Sequence, residues 1–371
     1  MDCIYKLKFQ IFPPPLNRLD MNTSTLIPGQ NEGLLPVLFG NNNTRKEEPT
    51  YTSYEVVNEP VRKDKRRKHF IEANTEPIDM IRLKSDCIVP VFSKDNEMTI
   101  SHPSFIETVH KVASELFRGE SIDEPDIMVS HVIKGRIPEA IHKPVAQLLE
   151  SDKTIYYERM AFAFEIPTIY ETIDGNRVNL CITGVRAYNR ENLYSKKVAE
   201  RFSVAIGFQN KVCCNLCTFT DGFKTDLRAT SQHDLFREVM KLFQQYDAEK
   251  HLRLMKSFTS SYLTEHQFAQ FLGKSRLYQC LPAKEKKLLP NMELTDSQVN
   301  IIAKAYYHDD NFKREHGENE INLWKFYNML TGANKSSYID NFLDRSLNST
   351  QLTEGIDRAL HGDNTYKWFI E

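Results

Sequence analysis

Apolar residues recur along this chain with two different periods, and the change from one to the other divides it. The first clear period is helical: Phe105, Val109, Val112 and Leu116 share a face, flanked by Ile106, Ala113 and Phe117. Ser101-His102-Pro103 opens that helix, because proline is tolerated in a first turn, and Gly119 suits the position just past its end. Ile127, Val129 and Ile133 then alternate and predict a short strand. The strongest alternation follows. Tyr156, Met160, Phe162, Phe164 and Ile166 share one parity, while Tyr157, Arg159, Ala161, Ala163 and Glu165 share the other, as in a half-buried strand of about ten residues. Asp174-Gly175-Asn176 supplies a tight hairpin turn, after which Val178, Leu180 and Ile182 alternate back. Gly184 interrupts that parity, and a bulge there would keep Val185, not Arg186, on the apolar face. Phe202, Val204, Ile206 and Phe208 form a third strand. Hairpin-like connections between these strands predict an antiparallel sheet with one face covered.

After Thr230 the period becomes helical. Ser231 and Asp234, Thr264 and Gln267, and Thr295 and Gln298 have the spacing of capping boxes. Leu235, Val239, Leu242 and Tyr246 line one helix. Phe268, Phe271 and Leu272 line a second, ended by Gly273, and Val299, Ile302, Ala303 and Tyr306 line a third. Further helices are expected over 321–331, 336–347 and 350–361, with Gly362 past the last. The tail Tyr366-Lys367-Trp368-Phe369-Ile370 is apolar enough to dock on the fold. No internal repeat is visible. The fold class is therefore α+β: an antiparallel sheet region over 70–229, then a mainly helical region over 230–371 packed on it as one body. Residues 1–69 lack periodic apolar positions and read as a disordered basic arm. Met21 offers a second start, which would leave residues 1–20 outside the working protein.

Charge adds a local feature to a neutral whole. Lys+Arg 48 against Asp+Glu 50 leaves a net charge of -2, so attraction to nucleic acid has to come from a patch. Two stretches qualify. One is Arg62, Lys63, Lys65, Arg66, Arg67 and Lys68, broken only by Asp64. The other runs between two strands and carries Arg186, Arg190, Lys196 and Lys197 with Tyr188 and Tyr194, opposed only by Glu191. Cations attract phosphates and tyrosine faces stack on unpaired bases; a solvated connection has the same composition. No apolar run is long enough for a membrane span, and the first residues do not form a secretory signal. Reduced thiols and a cytoplasmic location are expected.

Other candidate chemistry is thinner. Cys214 and Cys217 have the spacing of half a zinc site, but none of the remaining cysteines supplies a second pair, and small thiols at a strand end pack as hydrophobes. Gly332-Ala333-Asn334-Lys335-Ser336 echoes a phosphate loop, yet Asn precedes the lysine and a helix precedes the segment. It reads as a connection in which Ser336 caps the next helix. His308-Asp309-Asp310 reads as a polar helix end. No catalytic residues and no cofactor are expected.

Several stretches are similar to the domain-of-unknown-function 3871 family: Phe70-Ile71-Glu72-Ala73-Asn74-Thr75, Ser93-Lys94-Asp95-Asn96-Glu97, Tyr156-Tyr157-Glu158-Arg159-Met160, Gly184-Val185-Arg186-Ala187-Tyr188-Asn189, Ile206-Gly207-Phe208-Gln209-Asn210 and Gly332-Ala333-Asn334-Lys335-Ser336-Ser337-Tyr338. A weaker similarity reaches the phage- and plasmid-like domain-of-unknown-function 932 proteins through Cys214-Asn215 and Trp324, Tyr327 and Asn328. The resemblance implies a bacterial mobile-element setting and no defined activity. The resulting expectation is a non-enzymatic accessory protein that binds single-stranded or duplex nucleic acid. A module that binds or inhibits another protein and a metal-dependent enzyme are the alternatives.

Overall fold

Asp174 and Gly175 both take positive φ, +50° and +74°, the twist a two-residue hairpin turn requires. The expected turn therefore joins two long strands, and the sheet grows outward from them. The computed structural model describes residues 69–86, 99–140, 142–191, 199–210, 215–312 and 319–371, with only the backbone of 215–226 and of Pro138. The expected arm, apart from His69, lies outside the described residues. In chain order the elements are β1 (Glu76–Ile78), α1 (Met80–Asp86), α2 (His102–Leu116), β2 (Asp126–Val129), β3 (Val132–Arg136), β4 (Lys153–Tyr157), β5 (Arg159–Ile173), β6 (Asn176–Ala187), β7 (Glu200–Asn210) and β8 (Asn215–Ala229). They continue as α3 (Gln232–Gln245), α4 (Ala248–Ser257), β9 (Tyr262–Thr264), α5 (Glu265–Cys280), α6 (Ala283–Lys286), α7 (Asp296–His308), β10 (Glu320–Asn322), α8 (Leu323–Asn334) and α9 (Ile339–Leu360). The class is α+β.

The main sheet has the order β1-β2-β5-β6-β7-β8, and every neighbouring pair is antiparallel. The long alternation expected through Tyr156 is broken at Glu158: Tyr156 and Tyr157 belong to β4, which pairs with β3 in a separate ribbon. Gly184 carries no bulge. It pairs in register with Phe162 and Val204, and the register shift between β5 and β6 lies between Ile166 and Tyr170. Gly184 is a glycine because a Cβ there would lie 2.2 Å from Cε1 of Phe162 and 3.0 Å from Cζ of Phe105.

Both faces of the sheet are covered, where alternation predicted one. Phe162, Phe164, Ile182, Phe202, Val204 and Phe208 pack with Phe105 and Val109 of α2 and with Leu235 and Val239 of α3. The Phe105 ring meets Phe162 edge-on at 5.2 Å. The opposite parity carries Ala161, Ala163, Cys181, Val185 and Ala205, and these meet Phe70, Ile71 and Ile339, Phe342 and Leu343 of α9. Small side chains there let a helix approach closely, so residues that read as the outer face form a second core.

The helical region departs from its sequence reading in four places. Helix α5 runs through Gly273, where expectation ended it, because Tyr278 beyond the glycine is buried against Trp368 and Phe369. That burial outweighs the propensity cost of one glycine, about 1 kcal/mol. The two helices expected over 336–347 and 350–361 are the single α9. Its central hydroxyls do not break it, because Ser346, Ser349, Thr350 and Thr353 donate to the carbonyls four residues earlier. Ser336 closes α8 by donating to the Ala333 carbonyl at 2.7 Å and does not cap α9. Thr264 with Gln267 and Thr295 with Gln298 form complete capping boxes. Ser231 accepts from the Asp234 N–H, but the Asp234 carboxylate turns to Thr230 and Arg237 instead. The tail docks as expected, with Phe369 and Ile370 buried. No described helix is long and apolar enough to cross a membrane.

Two glycine substitutions have opposite expected signs. Gly184→Ala forces a methyl into the Phe162 ring and lowers unfolding free energy by about 1–3 kcal/mol. Gly273→Ala adds a methyl where nothing lies within 4 Å, and it raises stability by about 0.5–1 kcal/mol. Urea unfolding of the two variants beside the parent protein measures both.

Candidate functional site

Because β6 keeps its register, period two places Arg186 on the same face as Leu180 and Ile182. That face is the aromatic core. Arg186 is among the largest fully buried side chains of the molecule. Its guanidinium lies between two rings, 4.6 Å from the centroid of Tyr188 and 4.4 Å from that of Phe202. A cation removed from water needs partners in every direction, and three are present. Nε donates to Glu191 Oε1 at 3.3 Å, Nη1 donates to the Ile100 carbonyl, and Nη2 donates to Glu200 Oε2.

Glu200 completes the arrangement by accepting the Ile100 N–H, 3.0 Å from Oε1. Arg186 and Glu200 thus satisfy both backbone groups of Ile100, as a neighbouring strand would. This holds the chain at the entrance to α2, where Ser101 caps the first turn by accepting from Ser104 N–H. His102, the next residue, is fully buried and stacks on Tyr188 with ring centroids 4.6 Å apart. Its Nε2–H donates to the Tyr157 carbonyl at 2.8 Å, so Nδ1 is the unprotonated nitrogen, and it has no hydrogen-bond partner among the described residues. Burial first, and then the charge of Arg186, hold His102 down at about 3, with the bond to Tyr157 opposing them. It is neutral at ordinary pH.

The cluster sets one guanidinium against two carboxylates. Burial works against the charge on Arg186, but Tyr188, Glu191 and Glu200 more than offset it and raise its pKa. Each glutamate loses water and shares a single cation. Burial therefore wins and lifts both Glu191 and Glu200 above their ordinary value, although Arg186 pulls each of them down. With all three guanidinium nitrogens engaged, Arg186 has no donor atom left idle. Chemically the cluster is a clamp that positions three chain segments, 100–102, 186–191 and 200.

The basic stretch expected from sequence is therefore distributed differently. Arg186 and Tyr188 are inside the molecule, 1% and 3% exposed, and are not surface contacts. Their alternation with apolar neighbours places them there. Arg190 is on the surface but occupied: it donates to Asn341 Oδ1 at 2.5 Å and lies 3.5 Å from Asp344 and 3.9 Å from Asp340. It ties the end of β6 to the first turns of α9. Arg159 approaches the same Asp340 carboxylate at 3.9 Å. Tyr194, Lys196, Lys197 and the stretch from Arg62 to Lys68 lie outside the described residues, as does Cys214. Cys217 lies in β8, where only the backbone is described. Sequence reasoning passed over His102, Ile100 and Glu200. The available signal was the parity of Arg186 with Leu180 and Ile182, which demands a buried counter-charge, and acids at both ends of the following connection, Glu191 and Glu200.

The chain matches the sequence profile of the family described as "Domain of unknown function, B. Theta Gene description (DUF3871)" over residues 51–370, and it belongs to that family. Neither the curated proteins nor the solved structures give a match.

The clamp carries two expected outcomes. Arg186→Met leaves two buried carboxylates without their cation and costs about 3–5 kcal/mol in urea unfolding. Both glutamates sit above their ordinary value in the folded state, so folding takes up protons. Their contribution is favourable below the ordinary carboxylate value and is lost as pH rises through the folded-state values. Glu191→Gln should therefore flatten the fall in stability as pH rises above the ordinary carboxylate range; slopes identical to those of the parent would show that Glu191 does not titrate there.

Proposed function

We propose that this member of the family is a non-enzymatic nucleic-acid-binding accessory protein of a bacterial mobile element, the setting its family resemblance implies. The observation that carries the reading is where the acids go. By sequence, residues 192–199 contain Tyr194, Lys196 and Lys197 and no acid. The two acids that flank them, Glu191 and Glu200, point inward onto Arg186, with side chains 5% and 16% exposed. They are spent on the clamp and do not offset the lysines. A protein neutral overall thus keeps a local excess of positive charge beside a tyrosine, the composition that suits phosphates and unpaired bases. Arg62, Lys63, Lys65, Arg66, Arg67 and Lys68 add a second cationic stretch. Arg186 holds Glu191 and Glu200 at the two ends of that stretch, and Arg190 is committed to α9.

The test is binding of the full chain to single-stranded DNA, duplex DNA and RNA across a salt series. Affinity for a single strand is expected to fall steeply with salt. Replacing Lys196 and Lys197 by glutamine is expected to lower the log–log slope by about 1.4, at roughly 0.7 per phosphate contact. Arg190→Gln is expected to leave the slope unchanged. Absence of binding at physiological salt, or a slope indifferent to both lysines and to neutralisation of residues 62–68, would overturn the reading.

A further inference from the structure

The helical region carries a second cationic surface that the basic stretches above do not include. Between Lys274 and Lys287 the chain has Lys274, Arg276, Lys284, Lys286 and Lys287 against the single acid Glu285. Arg276 is paired with Asp296 at 2.9 Å, and nearby Lys367 with Glu371 at 3.5 Å. Lys274, Lys284, Lys286 and Lys287 have no carboxylate within ion-pair distance among the described residues. Lys286 is held by the backbone instead, donating to the Gln279 carbonyl at 3.0 Å and so capping the end of α5.

Two of these lysines flank an aromatic pair. The Lys274 ammonium lies 4.9 Å from the centroid of Trp368, and that of Lys286 lies 5.4 Å from the centroid of Tyr278. The two rings are 6.4 Å apart. Tyr278 is buried and backs the indole, while Trp368 is half-buried. A half-buried indole with a flexible lysine ammonium over its ring can exchange that cation for a planar base, and the displaced ammonium remains beside it for the phosphate. Lys284 and Lys287, exposed on the adjoining turn, extend the charge.

We propose that Lys274, Lys284, Lys287 and Trp368 form a contact surface for single-stranded nucleic acid. It rests on the nucleic-acid reading and narrows it to unpaired strands, because a duplex offers phosphates but no free base face to the indole. An acidic peptide would satisfy the lysines and leave the indole unused.

The protein has two tryptophans, and Trp324 is 1% exposed, so quenching of intrinsic fluorescence by a stacked base reports Trp368. The full chain is titrated with an oligothymidylate, with the matching duplex and with polyglutamate, while anisotropy of labelled oligothymidylate follows total binding. The expected result is salt-sensitive quenching by oligothymidylate alone. In a triple variant with Lys274, Lys284 and Lys287 replaced by glutamine, quenching is lost and the log–log salt slope drops by about 2. If anisotropy shows binding without quenching and the triple variant behaves like the parent, the nucleic-acid reading stands and this surface is overturned. If oligothymidylate does not bind at all, both fail. If polyglutamate quenches equally, the surface takes polyanions generally and the assignment to unpaired bases falls.

Discussion

A guanidinium buried on the aromatic face of a sheet cannot be left to packing alone, because the charge must be answered where water is absent. In this chain the answer to Arg186 reaches across three segments. It draws Glu191 and Glu200 inward from the two ends of one connection, and with Glu200 it holds both backbone groups of Ile100. The entrance to α2, the stacking of His102 on Tyr188 and the paired ends of β6 and β7 all follow from that one requirement. The choice of arginine is physical as well. Its planar fork serves separate acceptors in different directions while its faces rest on Tyr188 and Phe202, which a lysine could not do.

The same economy of charge shapes the surface. Acids that flank lysines in sequence are removed from the exterior by the clamp, and Arg190 is taken out of play by Asp340 and Asp344. A net charge near zero therefore conceals an uneven distribution. Among the described residues, cations without a carboxylate partner gather on the short turn after α5 and beside Trp368, while many other surface cations stand in ion pairs. Electrostatic character in such a protein is set by which charges are internally neutralised, and composition does not disclose that.

Helix α9 shows how a polar sequence enters a core. Ser346, Ser349, Thr350 and Thr353 are buried, and each returns its proton to the helix's own backbone. Asn334 of α8 bonds both the Phe342 carbonyl and Ser346, and Gln298 of α7 bonds the Ala333 carbonyl and Ser337. Helices α7, α8 and α9 are therefore joined by directed hydrogen bonds as well as by apolar packing. Such a network orders the arrangement because each donor has one geometry that satisfies it.

What the sequence determined by itself is what neighbours along the chain decide. Alternation marked the strands through Phe162, Leu180 and Ile206, Asp174-Gly175 placed the hairpin, hydroxyls three residues from glutamine placed the starts of α5 and α7, and the apolar tail announced its docking. These are local consequences of period, turn chemistry and capping. Tertiary structure alone decided the rest. Ala161, Ala163 and Ala205 looked like an outer face until α9, arriving from more than 130 residues later in the chain, covered them. Gly273 and the run from Ser346 to Thr350 looked like helix ends until burial beyond them outweighed their propensity. Arg186 and Tyr188 looked like a nucleic-acid contact because composition registers a charge but not its partner. The partners, Glu200 and the Ile100 backbone, become neighbours only when β7 pairs with β6 and α2 packs on the sheet, and a guanidinium is a surface group or a buried clamp according to that pairing.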